Sequence, residues 1–244
     1  MKKLIAMLLA LTVVLGLAAC GTKAPAETTN NTTTNTTTDN AADDSVMSYA
    51  DYMAAEMDSE VTVNCWVQAT QSWWDNKITV YAADKDGAYF LYEMKCAEED
   101  SKKLVPGTQI KVTGTKGEWA GEVEIMEATF EIVESGEVYV SSPVDLTDKL
   151  GTDELINYQN QLAAFTGLTV KEISFKNDGG DDIYVTLTKD DKDYNFCVEV
   201  YLTGTETDVY TTASGLQAGD IVDVEGFVYW YEGVNPHITA ISVQ

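Results

Sequence analysis

The chain has 244 residues, with 40 acidic against 15 basic side chains, a formal net charge of −25 and no arginine. That balance argues against a nucleic-acid binder, which needs a basic face and draws on arginine for planar, bidentate phosphate contacts. The length suits one or two packed domains, and the acidity by itself explains solubility at a crowded surface.

The first residues read MKKLIAMLLALTVVLGLAACG. Lys2 and Lys3 form a charged start, and the apolar run Leu4 to Leu17 falls short of the roughly 20 residues a spanning helix needs. A secretory leader over residues 1–19 is predicted. The LAAC run ending at Cys20 resembles the lipobox of bacterial lipoproteins. That resemblance implies cleavage before Cys20 and a diacylglycerol on its sulfur. It also implies the membrane as a partner through this lipid, and a chain held outside the cytoplasm. Each buried methylene of such an anchor contributes about 0.8 kcal/mol.

Residues 20–44 form a Thr/Asn-rich stretch, TKAPAETTNNTTTNTTTDNAADD after the first two. It has too little apolar surface to offset its ordering entropy, so a disordered tether is expected. Without the leader, 13 lysines face 40 acidic residues, a net charge of −27.

Past the tether the chain repeats itself. KITVYAADKDGAYFLYEM (77–94) and DIYVTLTKDDKDYNFCVEV (182–200) are both strand, polar turn, strand, 105 positions apart. Ile78 answers Ile183, Val80 answers Val185, Asp86 answers Asp191 and Tyr89 answers Tyr194. A second block aligns at an offset of 112, with Gly107, Gly114 and Gly121 answering Gly219, Gly226 and Gly233. The difference falls within TGTETDVYTTASGLQ. An internal duplication follows: domain one over 45–134, a connection over 135–151, and domain two over 152–244.

Each copy opens with a short helical stretch, SYADYMAAEM (48–57) or TDELINYQNQLAAF (152–165), for which Ser48 and Thr152 are the predicted N-caps. In the next strand Val61, Val63, Cys65 and Val67 share a face by period two, and Gly167 takes the position of Cys65 in the second copy. Five strands per copy, with Gly inside strand four, suit a small barrel with sharp corners. Strand order and the PGTQIKVTGT and AGDIVDVEGF runs resemble the OB-fold, a five-stranded Greek-key barrel. The expected fold class is therefore all-β: two tandem five-stranded OB-fold-like barrels, each with a short N-terminal helix, after a disordered tether. A pair of small β-sandwiches is the competing fold.

The aromatic residues fall on the predicted connections. Trp73 and Trp74 lie between strands one and two of the first copy, Trp119 between its strands four and five, and Tyr229, Trp230 and Tyr231 between strands four and five of the second. The OB-fold resemblance implies a ligand surface at these two connections and on the face of strands two and three. The rings suit stacking on a sugar or base, and they equally suit packing at a barrel end. A neutral glycan is indifferent to the charge, which a phosphate backbone must overcome. The expected function is a non-catalytic binding module for a glycan or other small ligand through these six residues. An envelope protein is the alternative partner, and single-stranded nucleic acid is disfavoured.

Other constellations are weaker. NDGGDD (177–182) and DKDG read as turns rather than calcium loops. His237 is expected to face solvent or pack lightly, and no carboxylate pair stands out as buried. No metal or cofactor is expected. Cys65, Cys96 and Cys197 allow one disulfide and one thiol, or three buried thiols.

Overall fold

A computed structural model describes residues 45–177 and 180–244. The leader, Cys20, the tether and Asp178 lie outside them. The first barrel is built from β1 (Glu60–Thr70), β2 (Lys77–Ala83), β3 (Ala88–Lys95), β4 (Gln109–Trp119) and β5 (Glu122–Ile132). They close in the order β1-β2-β3-β5-β4, with β3 and β5 parallel and β4 returning antiparallel to β1. After the two-residue strand β6 (Val144–Asp145), the second barrel follows as β7 (Leu162–Phe175), β8 (Ile183–Lys189), β9 (Lys192–Val198), β10 (Ile221–Phe227) and β11 (His237–Val243). Its order, β7-β8-β9-β11-β10 with β10 pairing back to β7, is the same. Closure in this Greek-key order makes both units OB-fold barrels and rules out a pair of open sandwiches.

Pairing reproduces the repeat. Val80 opposes Leu91 in the first barrel, and Val185 opposes Phe196 in the second. The longer insert in copy two holds α3 (Val200–Thr203) and α4 (Asp208–Gly215), where copy one has only α2 (Glu98–Ser101). Thr207 caps α4 by accepting the Tyr210 N–H, and Tyr210 and Ala213 are buried.

Gly167 does not take the place of Cys65. Ile110 opposes Cys65, and its counterpart Val222 opposes Leu168. Leu168 is the core residue, while Gly167 sits at φ +65° within a bulge and donates its N–H to Asp223. One extra residue in β7 shifts the register by one, which the two-residue period alone did not reveal.

The two lead-ins also differ. Residues Tyr49–Ala54 form α1, capped by Ser48. Residues Asp153–Tyr158 form a 3-10 helix, with no side-chain cap bond from Thr152. The C-terminal end of α1 is held by the buried Lys116, whose ammonium donates to the carbonyls of Tyr52, Met53 and Ala55, each at 2.9 Å. A cation at a helix C-terminus satisfies carbonyls that lack an intrahelical partner.

The connecting segment runs along the outside of β1. Trp66 donates its indole N–H to the Glu137 carbonyl and meets Tyr139 edge-on at 5.8 Å. The Gln68 side chain bonds the Tyr139 carbonyl and the Ser141 N–H. Cys65, Cys96 and Cys197 are all buried free thiols.

Candidate functional site at the barrel junction

The barrels meet through the outer face of β2 and β3. Tyr81 and Phe90 point outward there and are buried, with Tyr81 stacked on Phe227 of β10 at 4.2 Å between ring centroids. Tyr229 then lies edge-on to Phe90 at 5.3 Å and over His237 at 4.2 Å. Burying each such ring contributes on the order of 1.5–3 kcal/mol.

Polar contacts complete the junction. The turn Ala120–Gly121 joins β4 to β5 with both residues at positive φ, the type I′ geometry of tight hairpins. Gly121 has a second reason to lack a side chain, since a Cβ there would come within 2.7 Å of the Trp230 ring. Gln159 bonds the Gly121 carbonyl and the Val123 N–H across the junction. Buried Glu122 accepts the Trp230 backbone N–H at 2.8 Å, with the Asn160 side chain beside its carboxyl. Burial pushes the Glu122 carboxyl up to about 8, and burial with the nearby Glu93 charge pushes Glu124 up to about 7.

A cleft of about 410 Å³ opens beside this seam. Its walls carry Trp74, Tyr92 and Phe90 from the first barrel and Tyr201 and Tyr229 from the second, with Gln71, Glu199 and His237 also lining it. Trp74 is 75% exposed and Tyr201 58% exposed. The Ser72 N–H donates to the Tyr201 carbonyl at 2.7 Å, so the Trp-bearing loop and α3 are tied together. Lys77 is paired with Glu93 at 2.6 Å. Glu199 is held by the Gln71 amide, which donates to both carboxyl oxygens, and burial raises its carboxyl to about 7.

His237 is buried, which overturns the expectation of a solvent-facing ring. The seam formed by the other barrel covers it, and no local pattern in the sequence reports that. Its Nδ1 shares a 2.8 Å hydrogen bond with the Tyr81 hydroxyl and lies 3.5 Å from Glu199. An ion pair would need a protonated ring. Burial holds the imidazole down at about 4, so it is neutral at pH 7 and the Tyr81 bond is the one that counts.

The six aromatic positions therefore separate. Trp74 and Tyr229 line the cleft, and Tyr231 lines a neighbouring groove. Trp73 packs on the first core and donates its indole N–H to the Cys96 carbonyl. Trp230 packs on the second core. Trp119 ends β4, 64% exposed, and lines neither cavity. Tyr92, Tyr201, Glu199 and the buried carboxyls Glu122 and Glu124 were not singled out from the sequence. The signal for the junction was present in KITVYAADKDGAYFLYEM, which is apolar on both faces, whereas its partner hairpin alternates.

Among the described residues no cluster of His, Cys, Asp or Glu is arranged to hold a metal ion, and no helix is long and apolar enough to cross a membrane.

No protein-family model matches the chain, and no curated protein does. Solved structures similar to it include a murine DNA-binding protein bound to double-stranded DNA, at 12% identity and a TM-score of 0.38, covering 75% of this chain and 94% of that one. The tetrameric HIN2 domain of p202 is similar at 15% identity and a TM-score of 0.33, over 78% of this chain and 96% of that one. A replication protein A heterotrimer bound to single-stranded DNA is similar at 12% identity and a TM-score of 0.33, over 76% of this chain and 49% of that one. Likeness at this level decides nothing about function, and the fold assignment stands on strand order and barrel closure.

Proposed function

We propose that the protein is a non-catalytic binding module for a neutral glycan, taken up in the junction cleft, and that it is displayed outside the cytoplasm on a lipid at Cys20. One observation carries the cleft reading: exposed rings from both barrels, Trp74 and Tyr92 on one side and Tyr201 on the other, converge on a single concavity. Flat apolar rings stack on a sugar's C–H face as they do on bases, where stacking is worth about 1–3 kcal/mol each. The polar groups between them, Gln71, Thr79 and Glu199, suit hydroxyl recognition.

Charge favours a neutral ligand. Lys77 is the only lysine lining the cleft and is already paired, while Glu93 and Glu199 stand beside it. A phosphate backbone would meet these carboxyls within a chain of net charge −25. The carboxyls also fit binding better than turnover. Glu93 is engaged by Lys77 and Glu199 by Gln71, and Glu122 and Glu124 lie outside the cleft.

Tryptophan fluorescence titrated with neutral oligosaccharides, and in parallel with single-stranded DNA at low and physiological salt, tests the reading. A saturable change with one glycan class, lost in Trp74→Ala and kept in Trp119→Ala, is expected. Binding of DNA that weakens steeply with salt would sink it. Incorporation of labelled fatty acid, abolished by Cys20→Ser, tests the anchor.

A further inference from the structure

The outer face that buries Tyr81 and Phe90 in the first barrel has a counterpart in the second. Register places Thr186 where Tyr81 stands and Asn195 where Phe90 stands, because Tyr81 opposes Phe90 across β2 and β3 just as Thr186 opposes Asn195 across β8 and β9. In the first barrel this face is covered by the neighbouring barrel. In the second it is open, and it floors a groove of about 840 Å³.

The floor is a lattice of polar and aromatic side chains. Ser174 opposes Tyr184, and Thr186 opposes Asn195, all turned to one side by the two-residue period. The loop between β10 and β11 forms one wall with Tyr231 and Asn235, whose side-chain oxygen is buried without a partner. Glu199, Tyr229 and His237 line this groove and the junction cleft alike. The two cavities are therefore adjacent stretches of one concave surface, divided only by a shared ridge.

We propose that the open face of β8 and β9 is a second subsite continuous with the cleft, so that the ligand is a linear chain of neutral sugars long enough to cross the Glu199–Tyr229–His237 ridge. The proposal rests on the reading of the cleft as a neutral-sugar site. A protein partner is the other candidate for an uncovered sheet face, and the first barrel shows what such a partner requires: Tyr81 and Phe90 against Phe227. Thr186 and Asn195 supply hydroxyl and amide groups at those positions instead, and burying them against a protein partner would cost free energy unless each were hydrogen-bonded. A polyanion is disfavoured by Glu172 and Glu232, against Lys176, which is bound to Asp182.

Calorimetric titration of the protein with cello-, manno- and xylo-oligosaccharides of increasing length tests this. Affinity should rise by about tenfold or more once the chain outgrows the cleft. The Tyr184→Ala/Asn195→Ala double variant should lose that rise and still bind short oligomers normally. Tyr231→Ala, on the loop rather than the strands, should lose part of it, with unchanged melting showing each fold intact. Length-independent affinity with short oligomers still bound would overturn the continuous groove and leave the cleft reading in place. No binding at any length would overturn both. A dimer that forms with concentration and is dissociated by Thr186→Lys would assign the face to a second copy and overturn the proposal.

Discussion

The two barrels share one strand order and diverge in what their equivalent faces meet. Barrel one spends the outer side of its β2–β3 hairpin on Tyr81 and Phe90, which the second barrel covers; barrel two keeps Thr186 and Asn195 there, open to solvent. The same contrast holds at the other end. Lys116 of β4 ties down α1 in the first copy, whereas its counterpart Val228 in the second is a buried hydrophobe beside a 3-10 lead-in that contributes Leu155 to the core. The two copies thus share a strand order while each closes a barrel end and uses a face in its own way.

Breaking the seam should have the largest effect. Phe227→Ala removes the ring stacked on Tyr81 and should cost about 3–5 kcal/mol. Scanning calorimetry should then resolve two transitions in place of one, and a single unshifted transition would show that the seam contributes little. Lys116→Met comes next. It strips three carbonyls of a charged donor, and a loss of about 3 kcal/mol is expected, read as a lower denaturant midpoint for the first barrel. Val228→Ala should lack this helix-specific signature in circular dichroism.

The seam should also be sensitive to pH. Glu122 keeps its proton to about pH 8 in the folded chain, whereas an ordinary carboxyl releases it near 4.5. The folded state therefore binds more protons than the unfolded state between those values, and stability falls as pH rises through that window. Glu122→Gln should reduce this slope in chemical denaturation measured from pH 5 to 8, leaving the part due to Glu124 and Glu199, and an unchanged slope would exclude Glu122 as a contributor. The smallest effect on stability is expected for the exposed rings: Trp74→Ala and Trp119→Ala should each stay within about 0.5 kcal/mol of the parent, separating only in ligand binding.

Much of the barrel design was legible because it is local. The offsets of 105 and 112 paired the strands and glycines, and period two identified Val61, Val63, Cys65 and Val67 as inward-facing. What stayed hidden depends on the other barrel. Glu122-Val123-Glu124 reads as an ordinary solvated strand edge, and only the approach of Trp230 and Gln159 buries it. His237 is concealed for the same reason. The adjacent indoles Trp73 and Trp74 posed a question that strand alternation could raise but not answer, because one is claimed by the Cys96 carbonyl and the other by no core at all.

The seam joins unlike surfaces, the hairpin face of one barrel and the β10–β11 end of the next, and a heterologous contact of that kind propagates head to tail unless its rotation closes a ring. Were each copy to carry both halves of it, molecules would add head to tail into a ring or a filament. The chain carries one half at each barrel: Thr115 stands in barrel one where Phe227 stands in barrel two, and Thr186 and Asn195 replace the receiving rings. Each barrel is thereby left with one half of the contact, and its equivalent surface carries short polar side chains instead of rings.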